Sequence, residues 1–460
     1  MFSIVDEVDI DLQHSRLYEH GWQSWSPTAT YHLTQRSSRP DVGWQQVMRF
    51  RPETSPPPEG FQAEGLMVLD PGTGAPLRVY SAPDPSVRVP SIRAELVGNR
   101  VLVTADGPIS TEVSAVSMEA ALARFGDDCA GRLGAEPPRA APTAWCSWYH
   151  YYLDVTEADV IENLDAIVDR DLPVDVIQID DGWQAGVGDW LQLSDRFTSL
   201  AELALRIHDG GRRAGIWLAP FTATAGSLLA REHPDWLAGA AGWNWDQDLY
   251  GLDLTHPGVR GYLREVFSRL SAAGFDYFKL DFLYSGALPG RRHDEMTAVS
   301  GYRSGLELIR DSIGPDGYLL GCGAPILPSV GLVDAMRIGP DTDNPNFSEP
   351  GSAALRGELA TVSRAWQHGR FWVNDADCLI ARPSFVSRQQ WAAAIDRYGG
   401  LRSFSDRIVD LDEWGLRTIR RLLSTVPPPT PFPAADRLDA MASTGFRDTA
   451  ERAGQSGRGG

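Results

Sequence analysis

The stretch DYFKLDF, residues 276–282, is a short apolar run that ends at an aspartate, Asp281. Its aromatic residues and its length are typical of a buried β-strand. It also contains Lys279, the single lysine among 42 lysine and arginine residues. Arginine would serve equally well as a solvated surface cation, whereas a compact ammonium suits a desolvated site with specific hydroxyl partners. The stretch therefore predicts a strand that presents functional side chains at its carboxyl end.

Seven further runs of this kind alternate with segments of helical spacing. In order, the eight runs are TAWCSW (143–148), VDVIQIDD (174–181), AGIWLAP (214–220), DYFKLDF, YLLGCG (318–323), DAMRIGPD (334–341), RFWVND (370–375) and GLRSFSD (400–406). Helical periodicity is clear in ADVIENLDAIVDR (158–170) and LAELALRIHDGGRR (200–213). Eight strand and helix repeats of this total length predict an α/β fold, a TIM (β/α)8 barrel. A doubly wound sheet is the alternative, but nothing in the sequence resembles its glycine-rich phosphate fingerprint.

The barrel pattern is flanked by two segments of different character. Residues 1–135 contain short alternating runs between Gly, Pro and Asp turns, which predict an N-terminal β-sandwich-like domain. A Pro- and Ala-rich stretch, GAEPPRAAPT (134–143), then leads into a catalytic barrel predicted over 140–425. Residues 426–460 predict a Pro-rich linker and a disordered tail.

Composition excludes several classes of function. A formal net charge of −19 and a pI near 4.9 disfavour nucleic acid and anionic membrane surfaces as partners. The acidic amino terminus, MFSIVDEVDIDLQH, does not resemble a signal peptide, and no apolar run approaches ~18 residues. Four cysteines without CxxC spacing indicate neither a disulfide framework nor a zinc site. We therefore expect a cytoplasmic protein with reduced thiols and no metal; the sequence leaves its oligomeric state open.

Polar residues end nearly every predicted strand, where the active site of a barrel gathers. Trp148 and Trp217 end the first and third strands, and the charged residues at the other ends are Asp180, Asp181, Lys279, Asp281, Arg337, Asp341, Asp375 and Asp377. A single aspartate at such a position can equally begin a turn or cap a helix. Several on one face predict a polar pocket, and tryptophans around it predict a ligand with hydroxyl groups and an apolar CH face. That description fits a sugar.

Two of these carboxylates, Asp281 and Asp341, are the candidates for glycosidic bond cleavage. The fourth and sixth strands are near neighbours in a barrel, so their carboxylates could stand about 5 Å apart, the separation found in retaining glycosidases. Lys279 points to the same side of its strand as Asp281, so we expect its ammonium beside that carboxylate. Asp281 is then the nucleophile, and Asp341, beside a second carboxylate, is the general acid/base.

Six motifs resemble, in the same order, those of the α-galactosidases of glycoside hydrolase family 36. They are WCSWYHYYLD (145–154), QIDDGW (178–183), GIWLAPF (215–221), YFKLDFLY (277–284), GCGAP (321–325) and MRIGPDT (336–342). The resemblance implies a retaining exo-α-galactosidase that acts on terminal α-galactosides by double displacement and needs no cofactor.

The resemblance also implies a role for each pocket residue. Asp281 is the nucleophile and Asp341 the general acid/base. Asp180 and Asp181 bind the 4- and 6-hydroxyls of galactose, Lys279 the 3- and 4-hydroxyls, and Arg337 the 2- and 3-hydroxyls. Trp148, Trp217 and Cys322 line the pocket, although packing is the plainer explanation for a buried cysteine. A tryptophan of GWQSW (21–25) covers the sugar, with Trp22 preferred over Trp25 and a place in the β core as the alternative for either.

Several other functions stay open at the level of sequence. Galactosyl transfer to another acceptor and preference for α-N-acetylgalactosamine depend on features that the motifs do not show. A metal-dependent barrel enzyme would use Asp180, Asp181 and Asp281 to hold magnesium. A galactoside-binding protein without activity is disfavoured, because binding alone does not require an acid pair across the scissile bond.

Overall fold

Two antiparallel β-sheets form the first part of the chain in a computed structural model, which describes residues 1–37, 43–342 and 359–432. Their strands are β1 (Ser3–Asp9), β2 (Arg16–Glu19), β3 (Ala29–His32), β4 (Phe61–Glu64), β5 (Leu66–Asp70), β6 (Leu77–Ser81), β7 (Ser91–Val97), β8 (Arg100–Ala105) and β9 (Ser110–Ser114). One sheet has the order β1-β8-β7-β4 and the other β3-β2-β5-β6-β9. All neighbouring pairs are antiparallel, and short connections join β5 to β6 and β7 to β8.

The two sheets share one apolar core. In β8 the sequence RVLVTA alternates, so Val101 and Val103 are fully buried while the residues between them are partly exposed. They join Val8 of the same sheet and Leu17 and Leu69 of the other sheet in a single hydrophobic cluster. The two-residue period of the strands therefore decides which face of each sheet is buried.

The second part of the chain contains an eight-stranded parallel sheet. Its strands are β10 (Ala144–Cys146), β11 (Val176–Ile179), β12 (Arg213–Leu218), β16 (Phe275–Leu280), β17 (Tyr318–Gly321), β18 (Ala335–Arg337), β19 (Val373–Asp375) and β20 (Ser403–Phe404). The order is β19-β18-β17-β16-β12-β11-β10-β20. Each of these strands overlaps one of the eight predicted runs, and β12 and β16 begin one residue before theirs.

The two edges of this sheet meet. Parallel bridges join Asp375 to Leu401, just before β20, and Leu379 to Phe404 within it. The strand β20 thus contacts both β10 and the chain that follows β19. An eight-stranded parallel sheet of this kind, with helices between its strands, fits the TIM-like α/β class.

Helices connect and cover the strands. They are α1 (Gly43–Arg49), α2 (Met118–Arg132), α3 (Trp148–Tyr151), α4 (Glu157–Asp169), α5 (Leu200–Asp209), α6 (Leu228–Glu232), α7 (Pro257–Ala272), α8 (Ala298–Ile313), α9 (Ile326–Ser329), α10 (Arg388–Tyr398) and α11 (Glu413–Leu423). The helix α4 begins with a capping box, in which Thr156 and Asp159 satisfy each other's backbone N–H groups. Two predicted helices, 158–170 and 200–213, correspond to α4 and α5.

An inserted antiparallel sheet separates β12 from α7. It consists of β13 (Thr222–Thr224), β14 (Leu237–Asn244) and β15 (Gln247–Leu252), in the order β13-β15-β14. The sequence did not predict this sheet, because LAGAAGWN lacks the β-branched residues typical of strands. Its hairpin turn lies near the carboxyl ends of the parallel strands, as the contacts of Trp245 show.

A buried arginine joins the N-terminal part to the parallel sheet. Arg364 is completely buried, and burial lowers its pKa to about 10. It donates hydrogen bonds to the backbone oxygens of Gln23, Ser24, Ser26 and Ile338 and to Thr28 Oγ1. The loop from Trp22 to Thr28 is therefore fixed against the strand end that carries Arg337.

The sequence also predicted a disordered tail and the absence of a membrane-spanning segment. The predicted tail, 426–460, lies outside the described residues from 433 onward. Before that point, Phe432 stacks on His368 with ring centroids 4.0 Å apart. Among the described residues, no helix is both long and apolar enough to span a membrane.

Candidate active site

The predicted polar residues meet at one edge of the parallel sheet. Asp180 and Asp181 follow β11, Asp281 follows β16, and Arg337 ends β18. All four side chains are buried, together with Lys279 of β16. The carboxyl ends of parallel strands share an edge, so residues far apart in sequence are brought together there.

Asp281 is held by two neutral N–H donors. Trp217 Nε1 donates to its Oδ2 at 3.0 Å, and the backbone N–H of Phe282 donates to its Oδ1 at 2.8 Å. Phe282 has a φ of 49°, a left-handed conformation that turns the chain sharply after the strand. Each oxygen of Asp281 thus accepts from one N–H group and keeps lone pairs available to a ligand.

Lys279 pairs with a different carboxylate from the one expected. Its Nζ lies 2.9 Å from Asp180 Oδ2, and Asp281 accepts from Trp217 and Phe282 instead. Burial alone would lower the pKa of Lys279, but Asp180, and more weakly Asp281, raise it well above its usual value. The ammonium is therefore charged. It bonds to Asp180 and interacts with Asp281 only electrostatically, without a hydrogen bond. The period of two along a strand gives the side to which a lysine points, not which acid its long side chain reaches.

Asp341 lies in a more charged environment. Arg337 Nη2 donates to Asp341 Oδ1 at 2.9 Å, and the Asp341 side chain is 37 % exposed. Burial of the carboxyl group raises its pKa to about 6; Arg337 opposes this shift, whereas Asp377 and Asp281 add to it. The charge of Asp281 acts on Asp341, and both residues follow strands that end at the same edge of the sheet. Only one strand, β17, separates β16 from β18, as the sequence predicted.

A second aspartate, Asp377, completes the Arg337 cluster. Arg337 Nη2 lies 2.6 Å from Asp377 Oδ2, and the same oxygen accepts from Thr342 N and Thr342 Oγ1, both at 2.7 Å, and from the Tyr149 hydroxyl. Asp377 has a φ of 93°, a strained conformation for a residue other than glycine. Sequence reasoning noted Asp377 but gave it no role and overlooked Tyr149. Only the fold shows that both hold the segment that carries Asp341.

Asp181 is oriented by two side chains that the sequence analysis did not identify. Gln184 Nε2 donates to Asp181 Oδ1 at 2.6 Å, and Trp245 Nε1 donates to Oδ2 at 2.8 Å. Burial raises the pKa of Asp181 to about 7, against the effect of these two hydrogen bonds. Gln184 could have been noticed three residues after Asp181. Trp245 could not, since it comes from the inserted hairpin.

Known α-galactosidases resemble this chain in sequence and in structure. A family model described as Melibiase matches residues 137–298. Over most of its length the chain is similar to the solved α-galactosidase TtGalA from Thermus thermophilus, in complex with p-nitrophenyl α-D-galactopyranoside. The identity is 29 %, the alignment covers 93 % of this chain and 90 % of that chain, and the TM-score is 0.76. The chain is thus similar to melibiase-like α-galactosidases, by the family model over residues 137–298 and by structure over most of its length.

Two curated proteins show the same relationship over shorter stretches. Alpha-galactosidase AgaA of Geobacillus stearothermophilus is 27 % identical over 197 residues, which is 39 % of this chain and 26 % of that protein. Alpha-xylosidase XylQ of Lactiplantibacillus pentosus is 27 % identical over 209 residues, again 39 % and 26 %. The chain thus spans about a quarter of the length of these curated relatives.

Of the two tryptophans considered for covering the sugar, the structure places the second, Trp25, at the candidate site. Trp22 is 4 % exposed and packs in the hydrophobic core, the alternative that the sequence left open. The Trp25 ring lies 5.0 Å from that of Phe282, next to Asp281. It also packs so closely on Gly323 that an added Cβ would lie 2.8 Å from the indole. The structure therefore places Trp25 rather than Trp22 at this edge, because the two positions, three residues apart on the loop, face different sides.

The remaining predicted pocket residues lie at the same edge. Cys322 follows β17 and is buried; burial and the charge of Asp281 raise the pKa of its thiol well above the usual value, which suits packing rather than nucleophilic chemistry. Trp148 follows β10, is half-buried and contacts the Tyr152 ring edge-on at 5.2 Å. Trp217 packs against Trp245 at 6.3 Å. Among the described residues, no cluster of three or more His, Cys, Asp or Glu side chains is placed to hold a metal ion.

Proposed function

We propose that the chain is a retaining exo-α-galactosidase, which hydrolyses terminal α-D-galactosyl residues of oligosaccharides by double displacement. One observation carries the proposal: Asp281, fixed by neutral donors, lies at the same edge of the sheet as Asp341, whose pKa is raised to about 6. Two carboxyl groups in different surroundings, one held by neutral donors and the other paired with an arginine, are what a glycosidase needs. The relationship to TtGalA, solved with p-nitrophenyl α-D-galactopyranoside and with stachyose, supports α-galactosides as the substrate class.

In the first step, an Asp281 oxygen attacks the anomeric carbon while protonated Asp341 gives its proton to the leaving oxygen. The glycosidic bond breaks and a β-galactosyl ester forms on Asp281. In the second step, Asp341 removes a proton from water, which attacks the same carbon and releases Asp281 with α-galactose. A pKa of about 6 allows Asp341 to serve as the acid and then as the base near neutral pH.

The other charged residues would bind the sugar. The Lys279 and Asp180 ion pair offers one donor and one acceptor side by side, as the 3- and 4-hydroxyls require. Arg337 is buried and charged, since Asp377, Tyr149 and Asp341 outweigh the cost of burial and raise its pKa. We assign it to the 2- and 3-hydroxyls. Trp217, Trp148, Cys322 and Trp25 would form the walls, and no cofactor takes part in these steps.

The proposal includes the domain limits inferred from the sequence. The two antiparallel sheets support a β-sandwich-like domain within residues 1–135. The joined edges of the parallel sheet support a closed (β/α)8 barrel within 140–425. Trp25 then reaches the active site from the first domain, so both domains would be required for full activity.

The proposal is tested by following p-nitrophenyl α-D-galactopyranoside hydrolysis by proton NMR. We expect α-galactose as the first sugar product, before mutarotation. Initial β-galactose would contradict the retaining mechanism, and absence of turnover together with galactose binding would indicate a binding protein. The N-acetylgalactosaminide, the α-xyloside and an added acceptor sugar, assayed in parallel, separate the rival specificities. Unchanged rates after dialysis against a chelator would argue against the magnesium alternative.

A further inference from the structure

The inserted hairpin ends in a turn that places a tryptophan against the active site. The turn runs from Asn244 to Gln247, and its two central residues, Trp245 and Asp246, have φ values of 49° and 56°. Two positive φ values are the mark of a type I′ turn, in which bulky residues such as tryptophan are unfavourable. The unfavourable residue is retained where its side chain contacts Asp181. This coincidence points to a role in the site rather than in the turn.

The contact of Trp245 fixes one oxygen of Asp181. With Gln184 on Oδ1 and Trp245 on Oδ2, the carboxylate has a single orientation. The neighbouring Asp180 is bonded to Lys279, which places Asp180 on the side of the 3- and 4-hydroxyls. The family resemblance implies that Asp180 and Asp181 bind the 4- and 6-hydroxyls, and Asp181, which is bonded to the hairpin rather than to Lys279, is then the residue on the hydroxymethyl side of the galactose ring.

The Trp245 ring also limits the space on that side. It lies 4.8 Å from the ring of Phe282 and 6.3 Å from that of Trp217, the two residues that donate to Asp281. Trp245 is half-buried, so part of its indole remains accessible next to the residues that hold Asp281. A substituent on the 6-hydroxyl would therefore meet the indole.

We infer that Trp245 is a specificity-determining residue, which holds Asp181 for the free 6-hydroxyl of a terminal galactosyl unit and excludes sugars substituted at that oxygen. The inference rests on the proposed function, because it assigns one side of the same sugar site. It predicts discrimination against β-L-arabinopyranosides, which match α-D-galactopyranosides except that they lack the hydroxymethyl group. It also predicts discrimination against 6-O-methyl galactosides.

The test compares kcat/KM for the p-nitrophenyl glycosides of α-D-galactose, β-L-arabinopyranose and 6-O-methyl-α-D-galactose. Trp245→Phe keeps a ring and removes the N–H donor; Trp245→Ala removes both. Trp243→Ala is the matched control, because Trp243 lies on the same hairpin but is 44 % exposed.

With Trp245→Phe we expect the galactoside value to fall by about tenfold, as for loss of one hydrogen bond to a charged group, and the arabinoside value to change less than about twofold. Trp245→Ala should in addition admit the 6-O-methyl galactoside. Trp243→Ala should match the unaltered chain. Equal losses on the galactoside and the arabinoside, or the same selectivity change in Trp243→Ala, would overturn the inference. An unaltered chain that cleaves none of the glycosides would instead refute the proposed function.

Discussion

Asp281 and Asp341 lie at the same edge of the same sheet, yet their surroundings differ. Asp281 is buried and accepts from two uncharged N–H groups. The Asp341 side chain is 37 % exposed, pairs with Arg337 and lies near Asp377, and desolvation of its carboxyl group by the surrounding protein raises its pKa to about 6. The difference shows how one residue type can take two roles: neutral donors fix a group that attacks, whereas competing charges tune a group that exchanges protons. Substitutions of these two aspartates and of their neighbours test this difference.

Removing the carboxylate of Asp281 has the largest expected effect. Asp281→Gly should lower kcat with p-nitrophenyl α-galactoside by about 10⁴-fold or more, since no group remains to form the covalent intermediate. Added azide should restore turnover and yield the β-galactosyl azide, identified by NMR. Asp276→Asn is the control, because Asp276 belongs to the same strand but pairs with Arg213. Near-normal rates in Asp281→Gly would refute its role as nucleophile.

Removing the carboxyl group of Asp341 should have a smaller effect that depends on the substrate. We expect Asp341→Ala to slow cleavage of natural oligosaccharides by about 10²–10⁴-fold, and bond cleavage of activated aryl galactosides by only about tenfold, because the latter need no proton. Azide should here give the α-galactosyl azide, since Asp281 still forms the intermediate. Opposite azide anomers in the two variants would establish the contrast; the same anomer in both would contradict it.

Lys279 tests whether shape or charge matters on the Asp281 side. Lys279→Arg keeps the charge, but the planar fork does not fit beside buried Asp180, so kcat/KM should fall by about 10²-fold. Lys279→Met, which removes the charge, should lose at least as much. The midpoint of thermal unfolding, measured for both, separates loss of fold from loss of fit. A fully active Lys279→Arg would show that any cation suffices.

The smallest expected effect is that of Asp377 on the pKa of Asp341. Because Asp377 raises the pKa of Asp341, Asp377→Asn should lower that pKa below about 6. Asp341 must be protonated to act first as an acid, so kcat/KM falls as pH rises through its pKa. The basic limb of the pH profile should therefore move to lower pH, with a loss of roughly tenfold at pH 7 if the shift is about one unit. A basic limb that stays in place would contradict this coupling.

Asp375→Asn is the matched control for that shift. Asp375 is buried two residues before Asp377, and burial likewise raises its pKa to about 6. Asp375 is not one of the charged groups that chiefly set the pKa of Asp341. The substitution removes a carboxyl group of the same kind nearby. Its pH profile should keep the basic limb of the unaltered chain.

Much of the parallel sheet could be predicted because its strands are short, apolar and closed by polar residues. Each of the eight runs overlaps a strand, and the ends of those strands supplied Asp180, Asp181, Asp281 and Arg337. The inserted sheet was missed because its first long strand is rich in Gly and Ala. Its contribution, Trp245, carries no local signal at all.

Contacts between distant residues account for the rest. The partner of Lys279 depends on the reach of a long side chain across the sheet edge, and the choice of Trp25 over Trp22 depends on how Arg364 fixes their loop. Neither is a property of a local pattern. The role of Asp377 in holding the segment that carries Asp341 is visible only in the fold, where Arg337, Tyr149 and Thr342 all bond to its Oδ2.

The sequence alone indicates which segments form the parallel strands, where their polar ends lie and which known enzymes those ends resemble, because period and residue type act locally along the chain. The three-dimensional fold determines which aspartate forms the ion pair with Lys279, which tryptophan reaches the site and what surrounds each carboxylate. Those outcomes arise where strands and loops from distant parts of the chain meet in a space with little water. There, electrostatic and hydrogen-bond energies depend on distances that no single stretch of sequence encodes.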